Sequence, residues 1–295
     1  YFSVKLLKFR LCLRYFSRPC MHEIFDLGSS AILTTLTAFG YRQGIVIATA
    51  HLLSVVEAGL FGICLVIITS VSKLLTQLST PIVTLVSEYS GSSSLHSIRK
   101  MNNTYISISF GLALSFFAGI IAYSEVILML FFDSSDWKLN DYQTSYISLV
   151  IMSGALAIGI PQIGSRSVLL GGGQHWVVTR AMFIGSLCSI VVAIISMKMF
   201  GLLGAALGWS TIWLLQGVLL YPPIIKKRLH QKYFNMLREG YLPGAYSGAT
   251  VSIYLWIVSY WLDPSDLSQL IFSILLATLL GVGSLYLNLK YLVNR

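Results

Sequence analysis

The sequence predicts an all-α fold, a polytopic transmembrane helical bundle of about eight spans, and three observations carry that expectation. Long apolar segments separated by short polar breaks fill residues 28–292. Hydrophobic residues make up 56% of the 295 residues and charged residues 11%, with mean hydropathy +0.77, whereas an average globular domain is about 25% charged. The basic residues behind the net charge of +9 sit mostly in the connections between the apolar segments. That placement fits orientation across a membrane better than binding to nucleic acid, and no nucleic-acid partner is expected. A hydrocarbon core about 30 Å thick takes roughly 20 apolar residues per helix, and each segment reaches that length. The runs are too long and too continuous for barrel strands, so backbone polar groups must be satisfied within helices.

The elements follow in order. Residues 1–22 interleave basic with apolar and aromatic side chains (YFSVKLLKFRLCLRYFSRPC) and read as an interfacial amphipathic segment. Spans are expected at 28–49, 60–86, 104–131, 144–169, 178–198, 203–225, 243–262 and 268–289. Between the sixth and seventh, 226–242 reads as a cytoplasmic basic connector (KKRLHQKYFNMLREG over 226–240), and 243–295 holds two additional transmembrane helices. If the spans alternate, the basic residues before the first, after the second, after the sixth and after the eighth all fall on one side. The other side has only Lys138 and Lys198, beside Asp133, Asp136, Asp141, Asp263 and Asp266. The asymmetry predicts a multi-pass protein of the cytoplasmic (inner) membrane with both ends cytoplasmic. The chain begins at Tyr1 without a signal peptide ending in a small-residue cleavage site, and reads as a fragment that lacks its N-terminal part.

Polar residues inside the spans are the candidates for function, because a charge at the bilayer centre costs about 2.5–3.5 kcal/mol on insertion scales. Lys73 lies in the middle of the second span, and Ser70, Lys73, Gln77, Thr80 and Thr84 recur at three- and four-residue steps, which draws a polar stripe along one face. Gln162 and Arg166 stand four apart in the fourth span, Arg42 lies in the second half of the first, and Arg180 opens the fifth. Arg42, Lys73, Gln77, Gln162, Arg166 and Arg180 are therefore the candidate substrate-binding residues of a cationic, water-accessible cavity. The plainer alternative has Arg42 and Arg180 snorkelling to the interfaces and Lys73 paired with a carboxylate. Acidic residues are absent from the span centres, which favours the cavity and an anionic ligand such as phosphate or pyrophosphate.

Other features have structural readings. Trp209, Trp213 and Gln216 share a face of the sixth span; packing explains them more simply than stacking on a sugar. Pro81 and the pair Gly159 and Pro161 interrupt the second and fourth spans, and Gly204 and Gly208 permit close helix contact. Gly171-Gly172-Gly173 reads as a tight turn, with neither the preceding strand nor the lysine of a phosphate loop. Cys12, Cys20, Cys64 and Cys188 are scattered and read as packing residues. No GxSxG, HExxH or Walker motif is present, so the chain does not read as an enzyme, and no cofactor or metal is expected.

Four stretches in sequence carry a resemblance: VEAGLFGI (Val56–Ile63) after the first span, STPIVTLVSEY (Ser79–Tyr89) at the end of the second, SVLLGGGQHW (Ser167–Trp176) at the turn after the fourth, and FGLLGAALGWS (Phe200–Ser210) opening the sixth. In that order the chain resembles the C-terminal part of the polysaccharide (lipid-linked oligosaccharide) flippases of the MOP superfamily, which also holds the MATE antiporters. The resemblance implies that 23–225 is a C-terminal six-helix, MATE-like lobe, and that a missing N-terminal lobe of the same protein would face it across a central cavity. It implies alternating access that moves a polyprenyl-(pyro)phosphate-linked glycan between leaflets, with membrane lipid as the other partner, and that Arg42, Lys73 and Arg166 receive the phosphate. A MATE-like cation-coupled exporter of small molecules and a non-transporting membrane scaffold or remnant are the alternatives.

Overall fold

The structure is a computed structural model that describes residues 18–90, 95–129, 139–261 and the isolated positions 281 and 283. Every regular element among the described residues is a helix. The first, α1 (Arg18–Leu52), runs into α2 (Val55–Gln77) through a two-residue break. The restart is a serine N-cap: Ser54 Oγ accepts the Glu57 backbone N–H at 3.1 Å, and the same hydroxyl donates to the Glu57 carboxylate at 3.1 Å. Pro81, which has no N–H to continue the ladder, then ends α2 at a turn over Leu78 and Ser79, and α3 (Thr80–Ser90) resumes the path. Ser79 bridges the gap by donating its hydroxyl to the Thr76 carbonyl at 2.7 Å.

The third long helix, α4 (Leu95–Met129), has 35 residues. Next comes a broken pair, α5 (Leu139–Gly159) and α6 (Gln162–Gly171), bent by 45° at Ile160 and Pro161. The glycine turn that closes α6 has Gly173 at φ +75°, in the left-handed region that glycine adopts without strain. A hairpin of α7 (His175–Phe200) and α8 (Leu202–Leu214) turns at Gly201, also at positive φ. From α8 the chain passes through a π-helical turn (Leu215–Leu220) into α9 (Tyr221–Leu229). Then α10 (Tyr233–Met236) and a second π-helical turn (Leu237–Tyr241) lead into α11 (Leu242–Trp261).

Small residues set the packing. A Cβ on Gly204 would lie 2.2 Å from the Ser196 backbone, and one on Gly208 would lie 2.2 Å from the Ala193 Cβ, so α7 and α8 meet backbone to backbone. Hydroxyls reinforce the seam: Ser196 donates to the Gly204 carbonyl at 2.8 Å and Ser189 to the Gly208 carbonyl at 2.6 Å. Between α4 and α11, Gly244 lies against the Ser107 carbonyl in the same way. Thr179 on α7 holds α1 through the Thr34 hydroxyl at 2.9 Å and the Ser30 carbonyl at 3.2 Å. The core inside is apolar and close-packed, with Phe61, Ile68, Leu149, Leu156 and Trp209 fully buried. Outward faces stay greasy, as Phe39 and Ile47 on α1 and Leu187 and Ile195 on α7 illustrate. A bundle apolar inside and out is made for lipid, and the chain is a membrane-embedded helical protein.

Among the described residues, fewer stretches meet the length and hydropathy of a span than the about eight expected from the sequence. Four described helical stretches are long and apolar enough to cross a membrane: Val55–Glu88, Leu95–Ser124, His175–Phe200 and Leu202–Leu229. The broken α5–α6 pair makes a fifth if it counts as one span. The expected spans 28–49 and 243–262 are helical, but threonines, serines, glycines and Arg42 hold them outside that group. The expected 268–289 lies outside the described residues except for positions 281 and 283, and so does the segment 1–17. The expected connector 226–242 is itself mostly helical, formed by the end of α9, α10 and the second π-helical turn.

Candidate functional site

Two polar features interrupt the apolar bundle: a stripe on the outside of α2 and α3, and a polar core inside around the break between α5 and α6. The stripe arises from helical periodicity. Ser70, Lys73, Gln77, Thr80 and Thr84 are all exposed on one face, while Ser72, Leu75, Ser79 and Ile82 turn inward. Ser70 returns its hydroxyl to the Val66 carbonyl at 2.8 Å, and Thr80 lies 3.5 Å from the Gln77 amide oxygen. Lys73 sits close to the middle of the Val55–Glu88 stretch and has no hydrogen bond or ion pair with any described residue. The carboxylate that the plainer alternative pairs with Lys73 is therefore not found among the described residues.

The inner core is built where α6 meets α4, α9 and the second π-helical turn. Gln162, at the start of α6, is fully buried and donates its amide to the Tyr241 phenol oxygen at 2.6 Å. Burial pushes the Tyr241 phenol above its ordinary value, and the Gln162 hydrogen bond opposes that push; the phenol stays protonated at neutral pH. Tyr241 also meets Phe110 edge to face, with ring centroids 5.0 Å apart. One turn along α6, Ser165 pairs with the buried Asn102 side chain at 3.5 Å, and Gly164 leaves room for the Tyr105 ring. Arg166 is half-buried; its Nε has no hydrogen-bond partner among the described residues, and its charge acts on the buried Tyr221. A second network lies beside this one. The Gln231 amide donates to Asn103 Oδ1 at 3.1 Å, and the Asn103 amide donates to the Glu239 carboxylate at 2.9 Å.

Two irregular backbones meet at this core. A Cβ on Gly159 would lie 2.6 Å from the Trp213 carbonyl oxygen, and one on Gly217 would lie 3.0 Å from the Gly159 Cα. The break at the end of α5 and the π-helical turn after α8 thus touch through glycine. A π-helical turn leaves carbonyls and donors out of the regular ladder, and such turns recur at functional positions.

The six candidate residues fall into separate groups. Lys73 and Gln77 share the outer stripe, and Gln162 and Arg166 share the inner core. Arg42 is half-buried on α1, its Nε 3.4 Å from the Tyr41 hydroxyl and its guanidinium 5.9 Å from the Tyr41 ring centre. Arg180 is exposed on the first turns of α7. None of the six lines either of the two cavities described for the bundle, of about 670 Å³ and about 350 Å³. Trp209 and Trp213 are buried in the core with ring centres 5.7 Å apart, and Gln216 donates to the Met182 sulfur at 2.9 Å, so these three serve packing. Tyr241, Asn103 and Gln231 were invisible to periodicity, because their partners lie far away in the chain: Gln162 and Tyr241 are 79 residues apart. Asn102, which opens an Asn-Asn-Thr sequon, is a fully buried helical residue. Among the described residues no cluster of three or more His, Cys, Asp or Glu side chains is placed to hold a metal ion. The chain matches no protein-family model, no curated protein and no solved structure.

Proposed function

We propose that this chain is part of a membrane transporter that flips a lipid-linked oligosaccharide or polysaccharide precursor across the cytoplasmic membrane by alternating access. Lys73 carries the reading. It stands near the centre of a helix that is apolar enough to span the membrane, points out of the bundle, and has no carboxylate to neutralise it among the described residues. Facing lipid there would cost about 2.5–3.5 kcal/mol, so the stripe it belongs to faces water or a further part of the assembly. An uncompensated ammonium flanked by Ser70, Gln77 and Thr80 is a site for an anion whose remaining groups are rich in hydroxyls. A polyprenyl pyrophosphate-linked glycan has that chemistry, with a phosphate for Lys73 and sugar hydroxyls for Gln77 and its neighbours.

In this reading Lys73 and Gln77 touch the substrate, Gln162 and Arg166 hold the bent helix in register, and Arg42 and Arg180 anchor α1 and α7. The breaks at Ser79 and Ile160 supply the flexible points that a rocking lobe needs. The test is charge reversal in cells that make the protein. Lys73→Glu is expected to cut surface display of the glycan at least tenfold with an unchanged amount of protein in the membrane fraction, while Lys73→Arg keeps most of it. Normal display by Lys73→Glu would end the proposal. Loss of resistance to small toxic compounds, with display intact, would select the MATE-like exporter instead.

A further inference from the structure

The larger cavity, about 670 Å³, lies in the hairpin between α3 and α4, and none of the six candidate residues lines it. Its origin is in the packing. The helices are joined by a four-residue connection, 91–94, yet α3 packs mainly on α6, so a wedge opens between α3 and α4. On the α3 side the wall is Leu78, Pro81, Ile82 and Leu85, spaced three and four apart. On the α4 side, Tyr105 and Ile108 form the deep wall with Met101; Lys100 stands next to Met101 in the chain, and His96 lies about one turn nearer the start of the helix. Tyr105 closes the inner end by donating its hydroxyl to the Leu75 carbonyl at 3.2 Å.

The groove is therefore apolar at depth and cationic at its mouth. Both His96 and Lys100 are exposed, Lys100 has no hydrogen bond or ion pair with a described residue, and no carboxylate lines the groove. Its depth in the membrane follows from length. The stretch Leu95–Ser124 has 30 residues, or about 45 Å of helix against a hydrocarbon core of about 30 Å. The surplus of about 15 Å leaves room for its first two turns, with His96 and Lys100, at headgroup level and for Ile108 at acyl-chain depth. We infer that this groove holds an anionic phospholipid of the surrounding leaflet, its phosphate against Lys100 and His96 and an acyl chain along Leu78, Ile82 and Ile108. The inference needs only the membrane setting, and stands whether or not the chain is a flippase.

The experiment uses the full chain reconstituted in nanodiscs with a trace of photoactivatable phosphatidylglycerol or of the matching phosphatidylcholine, each with its diazirine in the acyl chain. Crosslinked peptides are mapped by mass spectrometry. Phosphatidylglycerol is expected to label 78–85 and 101–108 about fivefold more than phosphatidylcholine, the factor that corresponds to about 1 kcal/mol per basic side chain at an anionic surface. Lys100→Glu should remove the preference and Lys100→Arg keep it, and Ile108→Trp should lower labelling by both lipids by filling the groove. Equal labelling by the two lipids, or labelling that maps elsewhere, would overturn the inference. So would removal of the label by millimolar inorganic phosphate, since the site would then take a free anion rather than a lipid.

Discussion

At Gly208 one methyl group decides whether two helices meet. The α7–α8 seam has no apolar side chain at that point to yield, because the nearest atoms are the backbone and Cβ of Ala193. Overpacking of this kind costs about 1–3 kcal/mol, and here the neighbour cannot rotate away. Gly208→Val is expected to lower the thermal unfolding midpoint in detergent and to separate α7 from α8. Gly28, with nothing within 4 Å of an added Cβ, is the control; Gly28→Ala should be neutral or stabilising by up to about 1 kcal/mol, the helix-propensity difference. Lys73 poses the opposite case, a single residue whose cost is set by its surroundings. If the stripe faces water, a cysteine at position 73 in a chain with its four native cysteines replaced will react quickly with a membrane-impermeant maleimide. A cysteine at Leu74, exposed one position around the helix on an apolar face, will react slowly. Equal slow reaction at both would place Lys73 in lipid or against protein.

Elements here are defined by their interruptions. Pro81 and Pro161 follow from the sequence alone, since a residue without an N–H must end or bend a helix. What each break leaves behind differs. After Pro81 the chain keeps its course well enough for Val55–Glu88 to count as one span, but at Pro161 it turns by 45°. The Gln162–Tyr241 hydrogen bond ties the second fragment to the turn before α11. Tyr241→Phe leaves a buried amide without its partner, and about 1–2 kcal/mol of stability should go with it. In a double-mutant cycle with Gln162→Leu the coupling should be about 1 kcal/mol, read from detergent unfolding. Additive losses would mean that the two side chains touch without stabilising one another. Neither π-helical turn was foreseen, because an inserted residue changes the ladder and not the composition; Leu215–Leu220 is as apolar as the helix it interrupts.

On the scale of the molecule, what could be read in advance was the class of solvent. Few charges and apolar runs of about 20 residues require helices in lipid, whatever their arrangement. The protein should accordingly stay in the membrane pellet after alkaline carbonate extraction, and release into the supernatant would contradict the membrane setting. Gly204, Gly208, the glycine turn at 171–173 and the buried Trp209 and Trp213 were legible for the same reason, because steric size and helical period are local properties of the chain. The outer stripe of Lys73 and Gln77 was legible too, since a three- and four-residue period marks a face. Which way that face points was not. Periodicity groups residues around one axis and says nothing of rotation against a neighbour, so it placed Arg42, Gln162, Arg166 and Arg180 on the same footing as Lys73. Tertiary packing separated them, burying Gln162 against Tyr241, leaving Arg166 half-buried near Tyr221 and leaving Lys73 outside. It also opened the groove between α3 and α4, which exists because α3 chose α6 as its partner. Composition and period therefore determined the solvent, the helices and their breaks, while contacts between residues far apart in the chain decided which polar groups are covered and which are open to a ligand.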